Sequence, residues 1–285
     1  MKPSQFAYEK PNNLAELFGL LAEHGANATI LAGGQSLMAT MNMRLSAPEV
    51  LVDINGLAGL SEISVSSGML RIGALTRHRD VAESKEVEAH APLINLAMPH
   101  VAHAAIRNRG TFGGSIALAD PASEIPACML CLEGKIEMTG AMGVRRVPAA
   151  EYFQGLYETD LKDGEIVTAV DVPVLGSGER HAFDEITRRH GDYAMAGLAA
   201  KAFVSGTTLS NVRLAYFGVG GTPVLAANAG AALDGTLSDD RISAAQAALD
   251  TDLDPFDDIG CSAATKLHFA KVLLDRVVCR MTTAE

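Results

Sequence analysis

Residues 106–126 read IRNRGTFGGSIALADPASEIP, and this segment sets the first constraint on the fold. Its first ten residues hold two arginines, three glycines and a Thr/Ser pair, and two acidic residues follow. Earlier in the chain, residues 32–36 (AGGQS) repeat the Gly-Gly-plus-hydroxyl pattern. Because glycine has no side chain, a ligand approaches the N–H groups of such a loop closely, and successive N–H groups form a concave anion site, or nest. The two loops therefore predict two nests that clasp one diphosphate from both sides.

Neither glycine loop identifies a ligand site by itself. Each loop taken alone is more typical of an ordinary tight turn than of a ligand site. Neither has the G-x-G-x-x-G spacing of a dinucleotide-binding turn or the lysine of a Walker loop, which disfavours a Rossmann NAD site and a P-loop site. Both loops together favour a diphosphate, because they are flanked by Arg44, Arg107 and Arg109 and carry the hydroxyls of Ser36 and Ser115.

The bulk properties of the chain narrow the function classes. Its 285 residues exceed the usual size of one domain, so we expect two domains. The formal net charge of −11, without a basic stripe, disfavours nucleic-acid binding. No apolar run is long enough to span a bilayer, and residues 1–5 lack the apolar core of a signal peptide, so we expect a cytoplasmic location.

The order of the predicted elements indicates an α+β chain in two parts. The first part alternates helices and strands, with Thr76 as a helix cap: a helix from Asn12 or Asn13 to Gly25, a strand at 28–32, a helical turn at 36–43, a strand at 50–54, a hairpin at 63–73, helices at 77–83, 93–101 and 125–132, and strands at 135–138 and 166–173. After the linker candidate 176–178, the pattern predicts a small antiparallel sheet with helices on one face: strands at 182–189, 198–204 and 212–217, and helices at 243–249 and 262–281. We therefore expect domains at 1–175, with subdomains of about 1–55 and 56–175, and at 180–285.

The cysteines and histidines suggest no metal centre in this chain. Cys128 and Cys131 have the spacing of a thiolate pair, but the other two cysteines form no second close pair, and zinc or a [2Fe–2S] cluster needs four ligands. We interpret Cys128 and Cys131 as small core residues of one apolar helix. His100 and His103 have the spacing that places two imidazoles on one side of a helix, but no third ligand accompanies them.

Two motifs make the diphosphate hypothesis more specific. Ile30–Leu37 (ILAGGQSL) is followed by Met43-Arg-Leu45, and Ile106–Ser115 (IRNRGTFGGS) forms the second motif. Both resemble the FAD-binding signatures of the medium subunit of molybdenum-containing hydroxylases, a family that includes aerobic carbon monoxide dehydrogenase, quinoline and nicotine dehydrogenases and the flavin domain of xanthine dehydrogenase. The resemblance covers almost the whole chain. It implies a two-part FAD-binding domain of the vanillyl-alcohol-oxidase type, followed by a C-terminal domain of the molybdenum hydroxylase flavoprotein type.

The resemblance also implies contacts to a noncovalent FAD, and it implies no catalytic residue and no metal ligand in this chain. The two glycine loops would hold the pyrophosphate, Glu124 would accept ribose hydroxyls, and Tyr193 would lie beside the isoalloxazine ring. The sequence departs from the family at Asp184 and Glu185, where many relatives carry a lysine near the flavin's pyrimidine edge, and Arg188 is a candidate substitute. The full set of implied FAD contacts is Ala32, Gly33, Gly34, Gln35, Ser36, Leu37, Val101, Ala102, Thr111, Gly113, Gly114, Ser115, Ala119, Glu124, Leu161 and Tyr193.

The family's activity implies a role in electron transfer. In such a heterotrimer, the large subunit carries molybdopterin and hydroxylates the substrate, and the small subunit carries two [2Fe–2S] clusters. This chain would take electrons from the nearer cluster through FAD to an external acceptor, in a dimer of heterotrimers acting on an N-heterocycle or a related small molecule.

Two alternatives remain open at this stage. The chain could be a self-sufficient FAD-dependent oxidase or dehydrogenase with its own substrate pocket, although its second part offers no obvious acid–base pair. It could also be a non-catalytic binding module for a nucleotide or another anion.

Overall fold

The computed structural model describes residues 2–283, and its first element group is a three-stranded parallel sheet in the order β1-β3-β2. Its first helix has a strong local start signal. The side chain of Asn13 accepts a hydrogen bond from the Glu16 N–H at 2.9 Å and starts α1, whose Leu17 is fully buried. The elements are β1 (Ala7–Glu9), α1 (Leu14–His24), β2 (Ala28–Leu31), α2 (Leu37–Asn42) and β3 (Val50–Asp53).

The second group is a five-stranded antiparallel sheet in the order β4-β5-β10-β6-β7, with helices inserted between its strands. Between β5 and β6 the chain runs through six helices, and α8 is buried along its whole length. The elements are β4 (Ile63–Ser66), β5 (Met69–Gly73), α3 (His78–Ala82), α4 (Lys85–His90), α5 (Pro92–Ala97), α6 (Ala104–Arg107), α7 (Phe112–Leu118), α8 (Glu124–Cys131), β6 (Lys135–Gly140), β7 (Gly143–Pro148), α9 (Ala149–Tyr152), β8 (Phe153–Gly155), β9 (Glu158–Thr159) and β10 (Ile166–Pro173).

The third group follows residues 176–178 and is an antiparallel sheet in the order β11-β12-β13-β14, with β15 paired to β13. Tyr216 donates a hydrogen bond from its hydroxyl to Ala270 O at 3.1 Å, which ties the sheet to the last helix. The elements are β11 (Glu179–Ile186), β12 (Ala196–Ser205), β13 (Thr208–Phe217), β14 (Val224–Leu225), α10 (Ala227–Leu233), β15 (Gly235–Thr236), α11 (Asp239–Asp252) and α12 (Ala263–Thr282).

Both faces of the third sheet are buried, each in a different core. Residues alternate across a strand, so Phe183 and Phe217 face the core formed with α5 and α8 of the second group. Leu198 and Tyr216 face the opposite core, which α12 completes. The sequence predicted helices on one face only. The other face is covered by the preceding part of the chain, so the glycine loops and the third group belong to one packed unit.

The α+β prediction is confirmed, and so is the order of the FAD-binding part and the C-terminal part. Two helix predictions were wrong in detail. The helix predicted at 93–101 ends at Ala97, and Thr76 does not cap α3, because Arg77 occupies the cap position. The Thr76 carbonyl instead accepts from the Phe112 N–H at 2.9 Å, which keeps this segment extended beside residues 110–113. The prediction that Cys128 and Cys131 are buried on one helix is confirmed.

Candidate functional site

The first glycine loop joins β2 to α2 and presents free backbone donors. Gly34 has φ of +72°, a conformation that favours glycine, and the first intrahelical bond of α2 runs from Met38 N to Gly34 O at 3.0 Å. Within residues 2–283, no acceptor bonds the N–H groups of residues 34–37. The Ser36 side chain makes no capping bond. The first loop therefore has the open N–H groups that an anion nest requires.

The second glycine loop is built differently, because its glycine N–H groups are bonded within the chain and do not form the open nest that the sequence predicts. The N–H of Phe112 donates to Thr76 O, the N–H of Gly113 donates to Ala74 O at 2.8 Å, and the N–H of Gly114 donates to Thr111 Oγ1 at 3.2 Å. A Cβ at Gly113 would overlap Ala74, so this glycine serves close packing against the strand end. Within the described residues, the backbone and hydroxyl donors left at this loop are the Thr111 N–H and the hydroxyls of Thr111 and Ser115.

The two loops touch each other, as the diphosphate hypothesis requires. A Cβ at Gly33 would lie 2.6 Å from Arg109 O and 2.8 Å from Gly110 Cα. Two side chains link the loops. Asn55 Nδ2 donates to Ala32 O at 2.8 Å, and Asn55 Oδ1 accepts from Arg77 Nη2 at 2.7 Å.

Arg77 completes this link through its other terminal nitrogen, Nη1, which donates to Arg109 O in the second loop. Sequence reasoning missed both Asn55 and Arg77, since neither stands in a recognisable motif. Their role follows from contacts between residues that are far apart in the chain.

A buried histidine lies beneath the second loop. His78 is the first residue of α3 and is 4% exposed, with Nε2 at 3.0 Å from Thr111 O and 3.1 Å from Ser115 Oγ. Burial, together with the positive charges of Arg107 and Arg77, lowers the pKa of His78 to about 4, although the hydrogen bond to Thr111 O opposes the shift. The imidazole is therefore neutral at physiological pH. Sequence reasoning missed this residue as well.

The predicted arginines differ in what their side chains contact. Arg107 Nη1 donates to Val101 O at 3.0 Å and to Ala102 O at 2.8 Å, so it braces the turn where Ala102 adopts φ of +46°. Arg44 lies at the surface, and its Nε donates to Lys2 O at 3.5 Å. Arg109 is exposed beside the contact between the loops.

The other predicted contacts lie at several places in the second and third groups. Val101 is buried, Leu161 is half-buried against the same core, and Ala119 ends α7 in the left-handed conformation with φ of +51°. Tyr193 is 65% exposed. Its segment reaches the Val101–Ala102 turn, because a Cβ at Gly191 would lie 2.6 Å from the His103 ring.

Glu124 belongs to a buried group of titratable residues between the two parts of the chain. Burial, together with the charges of Glu185 and Asp120, raises the pKa of Glu124 to about 7, whereas His100 opposes the shift. His100 Nδ1 lies 3.1 Å from Glu185 Oε1, and this hydrogen bond raises the pKa of His100. His100 and His103 do not share a helix, because His103 is the cap residue of α6.

The two acids Asp184 and Glu185 face opposite ways. The Asp184 carboxylate is bound by Arg280 at 3.1 Å and lies 3.6 Å from Arg276, both on α12. The Glu185 carboxylate faces His100 instead, and its Oε2 is buried without a partner in the described chain. Arg188 Nη2 donates to Gly260 O at 2.8 Å. Of these residues, Glu185 is the one directed toward the part of the chain that carries the glycine loops.

Comparisons with known proteins agree with this geometry. Residues 4–175 match the model of the FAD-binding domain in molybdopterin dehydrogenase, and residues 181–281 match the carbon monoxide dehydrogenase flavoprotein C-terminal domain. Fold and site thus define an FAD-binding flavoprotein. The chain belongs to the FAD-binding medium subunits of the molybdenum hydroxylase family, as the resemblance predicted. No helix within residues 2–283 has the length and apolar character needed to cross a membrane.

Individual relatives are similar over most of their length. The chain is 37% identical to the 6-hydroxypseudooxynicotine dehydrogenase complex subunit alpha of Paenarthrobacter nicotinovorans, covering 98% of this chain and 95% of the relative. It is 37% identical to the carbon monoxide dehydrogenase medium chain of Afipia carboxidovorans, covering 84% and 83%. The solved carbon monoxide dehydrogenase of Hydrogenophaga pseudoflava superposes with a TM-score of 0.95 at 35% identity, covering 98% of each chain. Quinoline 2-oxidoreductase from Pseudomonas putida 86 gives a TM-score of 0.94 at 35% identity, covering 99% and 98%.

Proposed function

We propose that this chain is the electron-transfer flavoprotein of a heterotrimeric molybdenum hydroxylase. It would receive electrons from a [2Fe–2S] cluster of a small partner subunit and pass them to an external acceptor, while a large molybdopterin subunit hydroxylates the substrate. The observation that carries the proposal is the direct contact between the two glycine loops, one with unbonded N–H groups and the other with the hydroxyls of Thr111 and Ser115. That pairing suits a diphosphate held between them.

The residues of this chain would have distinct tasks toward the cofactor. The N–H groups of residues 34–37 and the Ser36 hydroxyl would neutralise the diphosphate, with the second loop supplying its hydroxyls. Glu124 would accept ribose hydroxyls, and the exposed Tyr193 would screen the ring. Val101, Ala102, Ala119 and Leu161 would line the remaining surface. FAD, when bound, accepts and donates electrons singly or in pairs, and the protein positions it.

The division of the chain also belongs to the proposal. Residues 1–175 would hold the cofactor, with subdomains of about 1–55 and 56–175, and residues 180–285 would close over it. The buried face of the third sheet supports this arrangement, because it packs on α5 and α8 rather than facing solvent. A cytoplasmic location and a dimer of heterotrimers remain predictions.

The substrate belongs to the assembly rather than to this chain. Relatives at 34–37% identity are named for 6-hydroxypseudooxynicotine, nicotine, caffeine, glyceraldehyde and carbon monoxide. Three of these names refer to alkaloids or their derivatives, which supports an N-heterocycle or a related small molecule.

One purification tests the proposal. The chain should be isolated from its native source under mild conditions, and the co-purifying complex analysed for subunits, flavin, iron and molybdenum. We expect a flavin spectrum and about four irons per flavin, from two two-iron clusters. Substrate turnover by the isolated flavin-loaded chain would contradict the subunit role and favour a self-sufficient flavin oxidase. A colourless chain that binds no flavin would favour a plain anion-binding module.

A further inference from the structure

The second glycine loop needs a donor for the diphosphate, although its glycine N–H groups are already bonded. Gly113 donates to Ala74 O and Gly114 donates to Thr111 Oγ1, so neither is free for a ligand. The Ser115 hydroxyl therefore matters more at this loop than the motif suggests. Whether it donates to a ligand depends on where its own hydrogen points, and the group that decides this direction is His78.

The fold holds the His78 ring against the loop from two sides. The His78 N–H donates to Gly110 O at 3.0 Å, and Phe112 N–H donates to Thr76 O, which pairs the two segments antiparallel. A Cβ at Gly110 would lie 3.4 Å from His78 Nδ1, so the loop backbone rests directly on the imidazole. Because the ring is 4% exposed, water does not compete for its contacts.

The contacts of Nε2 determine which ring nitrogen carries the hydrogen. Nε2 lies 3.0 Å from Thr111 O, and a backbone carbonyl oxygen only accepts hydrogen bonds. Nε2 must therefore carry the hydrogen, since the other tautomer would bring two lone pairs together. The other tautomer would also bury an N–H at Nδ1, where no partner exists in the described chain. An orphaned buried donor is rarer in proteins than an orphaned acceptor.

This tautomer determines the role of Ser115. The Ser115 Oγ lies 3.1 Å from the same Nε2. The Nε2–H therefore forms a bifurcated hydrogen bond, with Thr111 O and Ser115 Oγ as its two acceptors. A hydroxyl that accepts at its oxygen keeps its own hydrogen for another partner. Its hydrogen is then directed away from the imidazole.

We propose that His78 is a positioning residue that holds the Ser115 hydroxyl as a donor toward the cofactor diphosphate. The inference rests on the proposed FAD site. His78 itself touches no phosphate and transfers no proton. It fixes the direction of one O–H bond, and a hydroxyl donating to an anionic oxygen forms one of the stronger hydrogen bonds in proteins.

A double-mutant cycle tests the proposal on the full-length chain. FAD affinity of the apoprotein is measured by flavin fluorescence for wild type, Ser115→Ala, His78→Leu and the double variant. We expect each single variant to weaken FAD binding about tenfold, and the double variant to be no weaker than either single variant. His78→Gln should stay within about threefold of wild type, because its amide Nε2–H takes the place of the imidazole Nε2–H.

His181→Leu is the matched control, because it removes another buried imidazole outside the loops. It should leave FAD affinity unchanged. Losses at His78 and Ser115 that add fully in the double variant would overturn the proposal, and so would wild-type affinity in a folded His78→Leu chain. If His78→Leu does not fold, ¹⁵N-histidine NMR of the wild-type chain reads the tautomer directly, and a hydrogen on Nδ1 overturns the proposal. A folded wild-type chain that binds no FAD refutes the proposed site itself, whereas independent effects in a chain that binds FAD refute only this inference.

Discussion

Gly33→Ala tests the contact between the two loops most directly. A Cβ at this position would lie 2.6 Å from Arg109 O, 2.8 Å from Gly110 Cα and 3.0 Å from Thr111 N, all of them backbone atoms. Ordinary contact begins at 3.4 Å, so the loops would have to separate by about 0.8 Å. Such a shift stretches the 2.7 Å bond from Arg77 Nη2 to Asn55 Oδ1, which joins the two loops, beyond the usual hydrogen-bonding distance.

The expected cost follows from these distances. Overpacking against rigid neighbours costs about 1–3 kcal/mol, and each 1.4 kcal/mol is about tenfold in affinity. Because the strain is relieved by separating the two surfaces that would hold the diphosphate, we expect FAD affinity to fall about 10- to 100-fold. Titration of the apoprotein with FAD, followed by flavin fluorescence, measures this loss.

Gly19→Ala is the matched control, since Gly19 lies within α1 and a Cβ there would meet nothing within 4 Å. The control should gain roughly 0.5–1 kcal/mol of stability from helix propensity and bind FAD as the wild type does. If the Gly33→Ala chain is folded and binds FAD with wild-type affinity, the loops do not grip the cofactor between them, and the reasoning fails.

The remaining predictions concern buried polar groups and are checked by urea unfolding. The pKa of His78 is about 4 in the folded chain and 6.5 in the unfolded chain, so the unfolded chain binds more protons between pH 4 and 6.5. The free energy of unfolding therefore falls by about 3 kcal/mol as the pH drops through this window. His78→Gln should remove this fall, because glutamine does not titrate. Glu124 gives the opposite pH dependence, because its pKa is raised to about 7 in the folded chain. The folded chain binds more protons between pH 4.5 and 7, so the stability of the apoprotein falls as the pH rises through this window. Glu124→Gln should therefore be more stable than wild type by about 3 kcal/mol at pH 8. If the stability of each variant depends on pH as the stability of the wild type does, the two groups are not buried as described. Tyr216→Phe leaves Ala270 O without its hydroxyl donor and should cost about 1–2 kcal/mol; an unchanged midpoint would contradict the buried bond.

Elements with strong local signals could be predicted from the sequence. The Asn13 cap starts α1, the alternating residues 63–73 form the β4–β5 hairpin, and α12 follows its apolar stripe. Elements without such signals were missed. Strand β7 lies at a sheet edge and is mostly exposed, so its sequence lacks an apolar alternation, and α10 consists largely of small residues.

In the candidate site too, residues with a local sequence signal were predicted and residues without one were missed. Glycine loops are visible in a sequence because a backbone conformation or a close approach restricts the residue type, and both loops were found in this way. Asn55, Arg77 and His78 were missed because their value comes from partners elsewhere in the chain: Ala32 for Asn55, Arg109 for Arg77, and Ser115 for His78. No spacing rule encodes such pairs, and only the folded chain brings them together.

The same Gly-Gly-plus-hydroxyl pattern serves two different purposes in this fold. In the first loop, Gly34 at positive φ turns the N–H groups of residues 34–37 outward, where they stay unbonded. In the second loop, the absence of a Cβ at Gly113 lets the backbone pack against Ala74, and the N–H groups are bonded as a result. Because the glycine N–H groups of the second loop are bonded within the chain, its donors toward a ligand would be the Thr111 N–H and side-chain groups, among them the Ser115 hydroxyl. On the proposed FAD site, this asymmetry would give the direction of the Ser115 hydroxyl, and hence the buried His78, a larger part in holding the diphosphate than the motif alone suggests.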